Sequence, residues 1–171
     1  TLFRSRTLGS PGNIASNEEA HDVFVKEMSK RIGPKSGTGR LFVIDGEPQS
    51  LNSNLGRYFD YFIVQAYGSY GYSDLDNRLS NTIRNFQNAT EEADKLSPEE
   101  TAKKYIVTEN FENWAKAGGV SHTTRDGRTV PSLIGMAEWK PIINGKAVRK
   151  GGMGTYHMEY EYNVSGYNVS Y

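Results

Sequence analysis

Three segments of the chain carry an apolar run into hydrogen-bonding side chains, and a fourth, glycine-containing segment ends in groups of the same kind. Leu41-Phe42-Val43-Ile44 leads to Asp45 and Glu47, and Phe62-Ile63-Val64 leads to Gln65 and Tyr67. Tyr105-Ile106-Val107 leads to Glu109 and Asn110, and Gly152-Met153-Gly154-Thr155 leads to Tyr156, His157 and Glu159. Residues two apart on a strand point the same way, so Asp45 pairs with Glu47 and Gln65 with Tyr67. If the pairs converge, carboxylates, an amide and phenols meet in one pocket beside aromatic faces. Such a pocket offers donors and acceptors with little positive charge, which suits a neutral polyhydroxylated ligand. Phosphate would call for Arg, Lys or a glycine-rich anion nest, and neither G-x-x-x-x-G-K-[ST] nor G-x-G-x-x-G occurs. His21, His122 and His157 lack zinc-ligand spacing, so neither a metal nor another cofactor is expected.

Each of these residues also has a plainer reading. A strand-end acid such as Asp45 or Glu47 caps the next helix or ties down a loop. Gln65 with Tyr67 can be a satisfied polar network, and a lone strand histidine such as His157 is more often structural.

The elements that must position these residues alternate. Residues 1–16 hold Gly and Pro without periodicity and read as a loop. Asn17 is a plausible N-cap, with Glu18 and Glu19 in the first turn, where the helix dipole favours acids. Ala20, Val23, Phe24, Met28 and Ile32 then recur at spacings of three and four, and Gly33-Pro34 ends that helix. Arg40–Pro48 reads as a buried strand with polar residues at its C-terminal end. Leu51–Tyr58 is a short helical turn, Phe59–Tyr67 a second strand, and Asp74–Phe86 a helix on Leu75, Leu79, Ile83 and Phe86. Ser97-Pro98-Glu99-Glu100 is a helix start that leads to a third strand, Lys104–Asn110. A glycine-rich loop follows to about Thr129. Pro131 opens a helix through Trp139, with a strand through Leu133-Ile134 as the alternative, and Gly152–Tyr160 is the last strand. Trp139 is a candidate sugar platform, although an aromatic on a helix is more often core. Strand and helix alternate about four times, and right-handed crossovers then make a mostly parallel sheet with helices outside. The expected fold is α/β, with about four parallel βα units forming half of a (β/α)8 TIM barrel.

Composition narrows the function classes. A length of 171 residues predicts one domain or a large piece of one. Twenty basic and 20 acidic residues give no net charge, which argues against a polyanion binder, nucleic acid included. The absence of cysteine excludes a disulfide framework, a thiolate metal site and a cysteine nucleophile. No apolar run approaches the roughly 18 residues of a membrane span.

The strand segments carry a family resemblance. Phe59-Asp60-Tyr61-Phe62-Ile63-Val64-Gln65-Ala66-Tyr67 resembles the sixth strand of glycoside hydrolase family 18, an apolar strand ending in Gln-x-Tyr. In matching order, Leu41–Pro48 looks like the fifth strand, Tyr105–Glu112 like the seventh and Gly151–Tyr162 like the eighth. The last segment is similar to the ending found in the bacterial endo-β-N-acetylglucosaminidase branch rather than in typical chitinases. The resemblance runs from about Asn17 to Tyr162. The family's D-x-x-D-x-D-x-E acid motif does not occur in the chain. The expectation is therefore that residues 1–171 are the C-terminal part of a catalytic barrel, with the first strands and the acid motif outside it.

The resemblance implies a substrate-assisted retaining mechanism, in which the substrate's acetamido group is the nucleophile and a glutamic acid protonates the leaving oxygen. It implies that Tyr67 hydrogen-bonds the acetamido oxygen and that Gln65 binds the same sugar, as the catalytic pair. Asp45, Glu47, Glu109, Asn110 and Tyr156 would line the substrate site. The activity implied is an endo-β-N-acetylglucosaminidase that cleaves the N,N'-diacetylchitobiose core of N-glycans. A chitinase and a non-catalytic family 18-like glycan-binding protein stand as alternatives. The implied partners are an N-glycan or GlcNAc-containing oligosaccharide and the missing N-terminal half of the barrel, without which the chain is expected to be inactive. A periplasmic, cell-surface or secreted location follows from the family alone.

Overall fold

A computed structural model of the chain describes residues 2–4, 18–111 and 117–156. The first half of the chain order is β1 (Leu2–Arg4), α1 (Glu18–Ser29), β2 (Val43–Gly46), β3 (Tyr61–Gln65) and α2 (Tyr72–Gln87). Then follow α3 (Pro98–Lys104), β4 (Tyr105–Asn110), β5 (Ser121–Thr123), β6 (Thr129–Pro131) and α4 (Ser132–Glu138). The short strands β7 (Ile142–Ile143) and β8 (Lys146–Ala147) precede β9 (Gly152–Tyr156). Five of these strands form one parallel sheet in the order β1-β2-β3-β4-β9, an α/β arrangement matching part of a (β/α)8 barrel. No helix among the described residues is long and apolar enough to cross a membrane.

The opening segment corrects the sequence reading: Leu2–Arg4 is a strand paired in parallel with β2, not loop. Three residues are too few to show a period, and the pairing rests on backbone bonds that any sequence can make. Asn17 lies outside the described residues, as do His157, Glu159 and the rest of the predicted last strand beyond Tyr156. The expected glycine-rich loop contains the antiparallel β5–β6 hairpin. Only His122 is buried within β5, so no apolar alternation marks the hairpin. Of the two readings after Pro131, the helix is the one that forms, with Pro131 at its N-cap.

Packing explains the helical layer. Leu75, Leu79, Thr82 and Phe86 recur at intervals of four, three and four along α2 and are its buried stripe. They cover an aromatic run in which Phe42 meets Phe59 at 4.6 Å, Phe59 meets Phe62 at 6.2 Å, and Phe62 stacks on Phe86 at 5.0 Å between centroids. Gly33 turns the chain into this core with φ +88°, where a Cβ would lie 2.8 Å from that of Phe42 and 2.9 Å from the Tyr58 carbonyl oxygen. Trp139 sits at the C-cap of α4, fully buried, with its Nε1 donating to Asp76 at 3.0 Å. It is core and no sugar platform.

The short α3 is held by its ends. Ser97 and Glu100 form a reciprocal capping box, and Arg57 reaches Glu100 at 3.0 Å. The Ser97 backbone N–H, then Arg57, hold the Glu100 carboxyl below its ordinary pKa against the opposing effect of partial burial. Because the folded value is lowered, this contribution is full above the ordinary value of 4.5 and fades as pH falls through the lowered one. Glu100→Gln should therefore flatten the acid limb of stability measured by urea denaturation at stepped pH. In the same assay at neutral pH, Phe62→Ala should cost roughly 3–5 kcal/mol, the usual loss for a buried aromatic.

Candidate functional site

The sheet sorts its residues by face. Ile44, Phe62, Val64, Tyr105 and Val107 are buried on the helix-covered side. Their neighbours Val43, Asp45, Tyr61, Ile63, Gln65, Ile106 and Asn110 stay half-buried on the opposite, inner face. In-register residues of a parallel ladder share a face. Gln65, Thr108 and Gly154 therefore form one inner row, and Asn110 and Tyr156 lie in the next row toward the C-terminal ends.

The structure brings five of the seven predicted residues together on this face. Gln65 Nε2 donates to Asp45 Oδ1 at 3.1 Å. A carboxylate only accepts, so this contact fixes which end of the amide faces Asp45 and presents Gln65 Oε1 as an acceptor elsewhere. Tyr67 follows two residues later, and its ring meets that of Tyr156 at 6.1 Å, tilted by 33°. Asn110 is the register partner of Tyr156. Gly152 and Gly154 leave the inner side of β9 without side chains beside Ile106 and Thr108, which opens space in front of the polar row.

Two predicted residues do not join this set. Glu47 is exposed, takes a hydrogen bond from Gln49 at 2.5 Å and faces Arg78 of α2 at 3.6 Å. The alternation that paired it with Asp45 breaks at Gly46, whose φ of +150° turns the chain off the strand path. Glu109 is fully buried behind the sheet, where its Oε1 accepts from the Gly68 N–H at 3.0 Å. Being next to Asn110 on β4, it points to the other face, so the two cannot line one pocket.

The loop that carries Tyr67 is fastened by residues that sequence reasoning passed over. His122 is fully buried, and its Nδ1 bonds the Ser69 carbonyl at 2.9 Å. A carbonyl only accepts, so Nδ1 holds the proton of this imidazole. The Thr123 N–H donates to the Tyr70 carbonyl at 2.8 Å, and Gly71 bridges Thr123 in parallel. Tyr72 meets the His122 ring edge-on at 5.6 Å, and burial raises its phenol above the ordinary range. The one signal available in the sequence was the lone histidine in a polar stretch, whose partner lies 53 residues away.

Among the described residues no group of three or more His, Asp and Glu side chains is placed to hold a metal ion. The assembled groups are one carboxylate, two amides and two phenols. Together they can orient a neutral polar ligand by hydrogen bonds, against aromatic faces, and place negative charge near it.

A family model described as glycoside hydrolase family 18, BT1044-like, matches residues 3–169. A solved structure of a selenomethionine, glutamate-to-glutamine variant of BT1044 is similar at 28% identity and TM-score 0.64, over 84% of this chain and 40% of that one. An endo-β-N-acetylglucosaminidase from Cordyceps militaris, in apo form, shares the fold at 20% identity and TM-score 0.55, over 96% of this chain and 48% of that one. A double mutant of the Cordyceps militaris enzyme, in complex with fucosyl-N-acetylglucosamine-Asn, gives 20% identity and TM-score 0.54 over the same shares. The chain thus spans less than half the length of these structures. No curated protein matches it.

The loop fastening makes a direct prediction. A Cβ on residue 71 would lie 2.7 Å from the Thr123 carbonyl oxygen and 3.3 Å from its nitrogen, both backbone atoms. Gly71→Ala should push the hairpin off the loop and destabilise the protein by about 1–3 kcal/mol, measurable as a lowered urea midpoint.

Proposed function

The chain belongs to glycoside hydrolase family 18, and we propose that its inner face orients the substrate in an endo-β-N-acetylglucosaminidase that cleaves the N,N'-diacetylchitobiose core of N-glycans. The observation that carries the reading is the Asp45–Gln65 bond at 3.1 Å with Tyr67 and Tyr156 beside it, all at the C-terminal ends of parallel strands. That is where α/β barrels bind their ligands. In the substrate-assisted route, the acetamido carbonyl oxygen attacks the anomeric carbon as the glycosidic bond breaks. The pair of electrons leaves with the departing oxygen, which takes a proton from the family's acid glutamate. The D-x-x-D-x-D-x-E string that supplies this glutamate does not occur in these 171 residues. Water then opens the oxazolinium ring with net retention.

The chain's own groups act on the nucleophile. Tyr67 donates its O–H to the acetamido oxygen and holds the group near the line of attack. Gln65, its amide nitrogen committed to Asp45, offers Oε1 to a donor on the same sugar. Asp45 places negative charge beside the positive charge that develops on the ring, a preorganised stabilisation that needs no rearrangement during the reaction. Asn110 and Tyr156 bound the pocket on the β4–β9 side. Such a substrate goes with a periplasmic, cell-surface or secreted location.

Tyr67→Phe in the full-length protein should lower kcat by about tenfold to a hundredfold, the cost of one lost buried hydrogen bond, with KM little changed. The assay is mass-spectrometric release of glycan from an Asn-linked substrate, with chitin oligosaccharides run in parallel. An unchanged kcat overturns the role of Tyr67. Cleavage of the chitin oligosaccharides alone makes the enzyme a chitinase, and tight glycan binding without turnover makes it a lectin.

A further inference from the structure

We infer that Glu109 is the positioning residue of this site, a strut that sets Tyr67 and Asn110 relative to each other through one carboxylate oxygen. The inference rests on the enzymatic reading above for its kinetic consequence, but not for its geometry. Glu109 Oε1 accepts from two backbone N–H groups at once, Gly68 at 3.0 Å and Asn110 at 2.9 Å. Gly68 directly follows Tyr67, and Asn110 is in register with Tyr156. The last rung between β3 and β4 is Gln65↔Thr108. Past it the two chains separate, and the carboxylate continues their connection at the level where the site residues stand.

The cost of this arrangement points to its purpose. Glu109 is fully buried, and its Oε2 has no hydrogen-bond partner among the described residues. An ionisable side chain so placed is expensive, and a residue needed for packing alone would be apolar, as Val107 is two positions earlier on the same face. The surroundings also fit it closely. Gly119 has φ +99°, and a Cβ there would lie 3.3 Å from Glu109 Cγ and 1.9 Å from Ser132 Oγ. Gly119 thus packs against the Glu109 side chain at a position where a larger residue would crowd it.

The test compares Glu109→Gln, which keeps an acceptor oxygen in the same place, with Glu109→Ala, which removes it, in the full-length protein. A misplacement near 1 Å costs on the order of a hundredfold in rate. Glu109→Ala should accordingly lose about that factor in kcat, with KM within about threefold, and Glu109→Gln should recover most of it. A residue important only for folding would lower the melting temperature without this split or this rescue. In parallel, 15N-glycine labelling reads hydrogen exchange at Gly68, an exposed residue whose amide is slowed only if it is bonded. Protection at least tenfold over the unstructured rate is expected in the wild type and in Glu109→Gln. An unprotected Gly68 amide in the wild type overturns the strut, and this reading needs no variant to fold. A folded Glu109→Ala with undiminished kcat overturns it as well, as does an equal loss in both variants. If the wild type turns over no N-glycan while Gly68 is protected, the enzymatic reading fails and the strut stands.

Discussion

In a parallel sheet, residues in register share a face, and this constraint organises everything else in the molecule. Once Gln65 is level with Thr108 and Gly154, the side of each neighbouring residue is settled across three strands. Asp45, Asn110 and Tyr156 fall on the inner side with Gln65, while Ile44, Val64 and Val107 fall under the helices. A slip of one residue in any strand would exchange these sets and bury the carboxylate and amide in the aromatic core. The contacts of Phe62 with Phe59 and with Phe86 of α2 oppose that slip, because it would turn the Phe62 ring away from both.

The polar face is supported from behind as much as from its own side. His122 and Thr123 from the hairpin and Glu109 from the back of β4 hold the backbone of residues 68–71, and none of them shares the inner face. The loop bearing Tyr67 thereby gains a rigidity that its own sequence, Tyr67-Gly68-Ser69-Tyr70-Gly71, would not supply. Conformational freedom lost here at folding is not lost again when a ligand binds.

Much of this was legible in the sequence, for identifiable reasons. The three apolar runs, the stripe on α2 and the Ser97-Pro98-Glu99-Glu100 signal are local patterns, and each names its element directly. The convergence of Asp45, Gln65, Tyr67, Asn110 and Tyr156 was accessible because a parallel sheet gathers its strand ends on one side. Glu47 was misplaced because the alternation was carried across Gly46, whose positive φ nothing in the two-residue period reveals. Glu109 was misplaced because two neighbours on one strand were both given to the pocket. The β5–β6 hairpin and Leu2–Arg4 went unseen, since one buried histidine or three residues leave no periodic trace. The fastening of the loop by His122 depends on contacts far apart in the chain, which no short window contains.

The glycines of β9 give the sheet an uneven compliance. Gly152 and Gly154 contribute no side chains toward β4, and glycine gives up more backbone freedom than any other residue when a strand orders. β9 pairs with β4 along its whole length, and the ladder is closed at either end by Gly151 N–H to the Tyr105 carbonyl at 2.8 Å and Phe111 N–H to the Tyr156 carbonyl at 2.7 Å. β2 and β3 are backed by interlocked rings, whereas β9 sends the single side chain of Met153 from its middle toward the core. Of the strands in the sheet, β9 is thus the one whose order depends most on its main-chain ladder, and it is the strand that carries Tyr156.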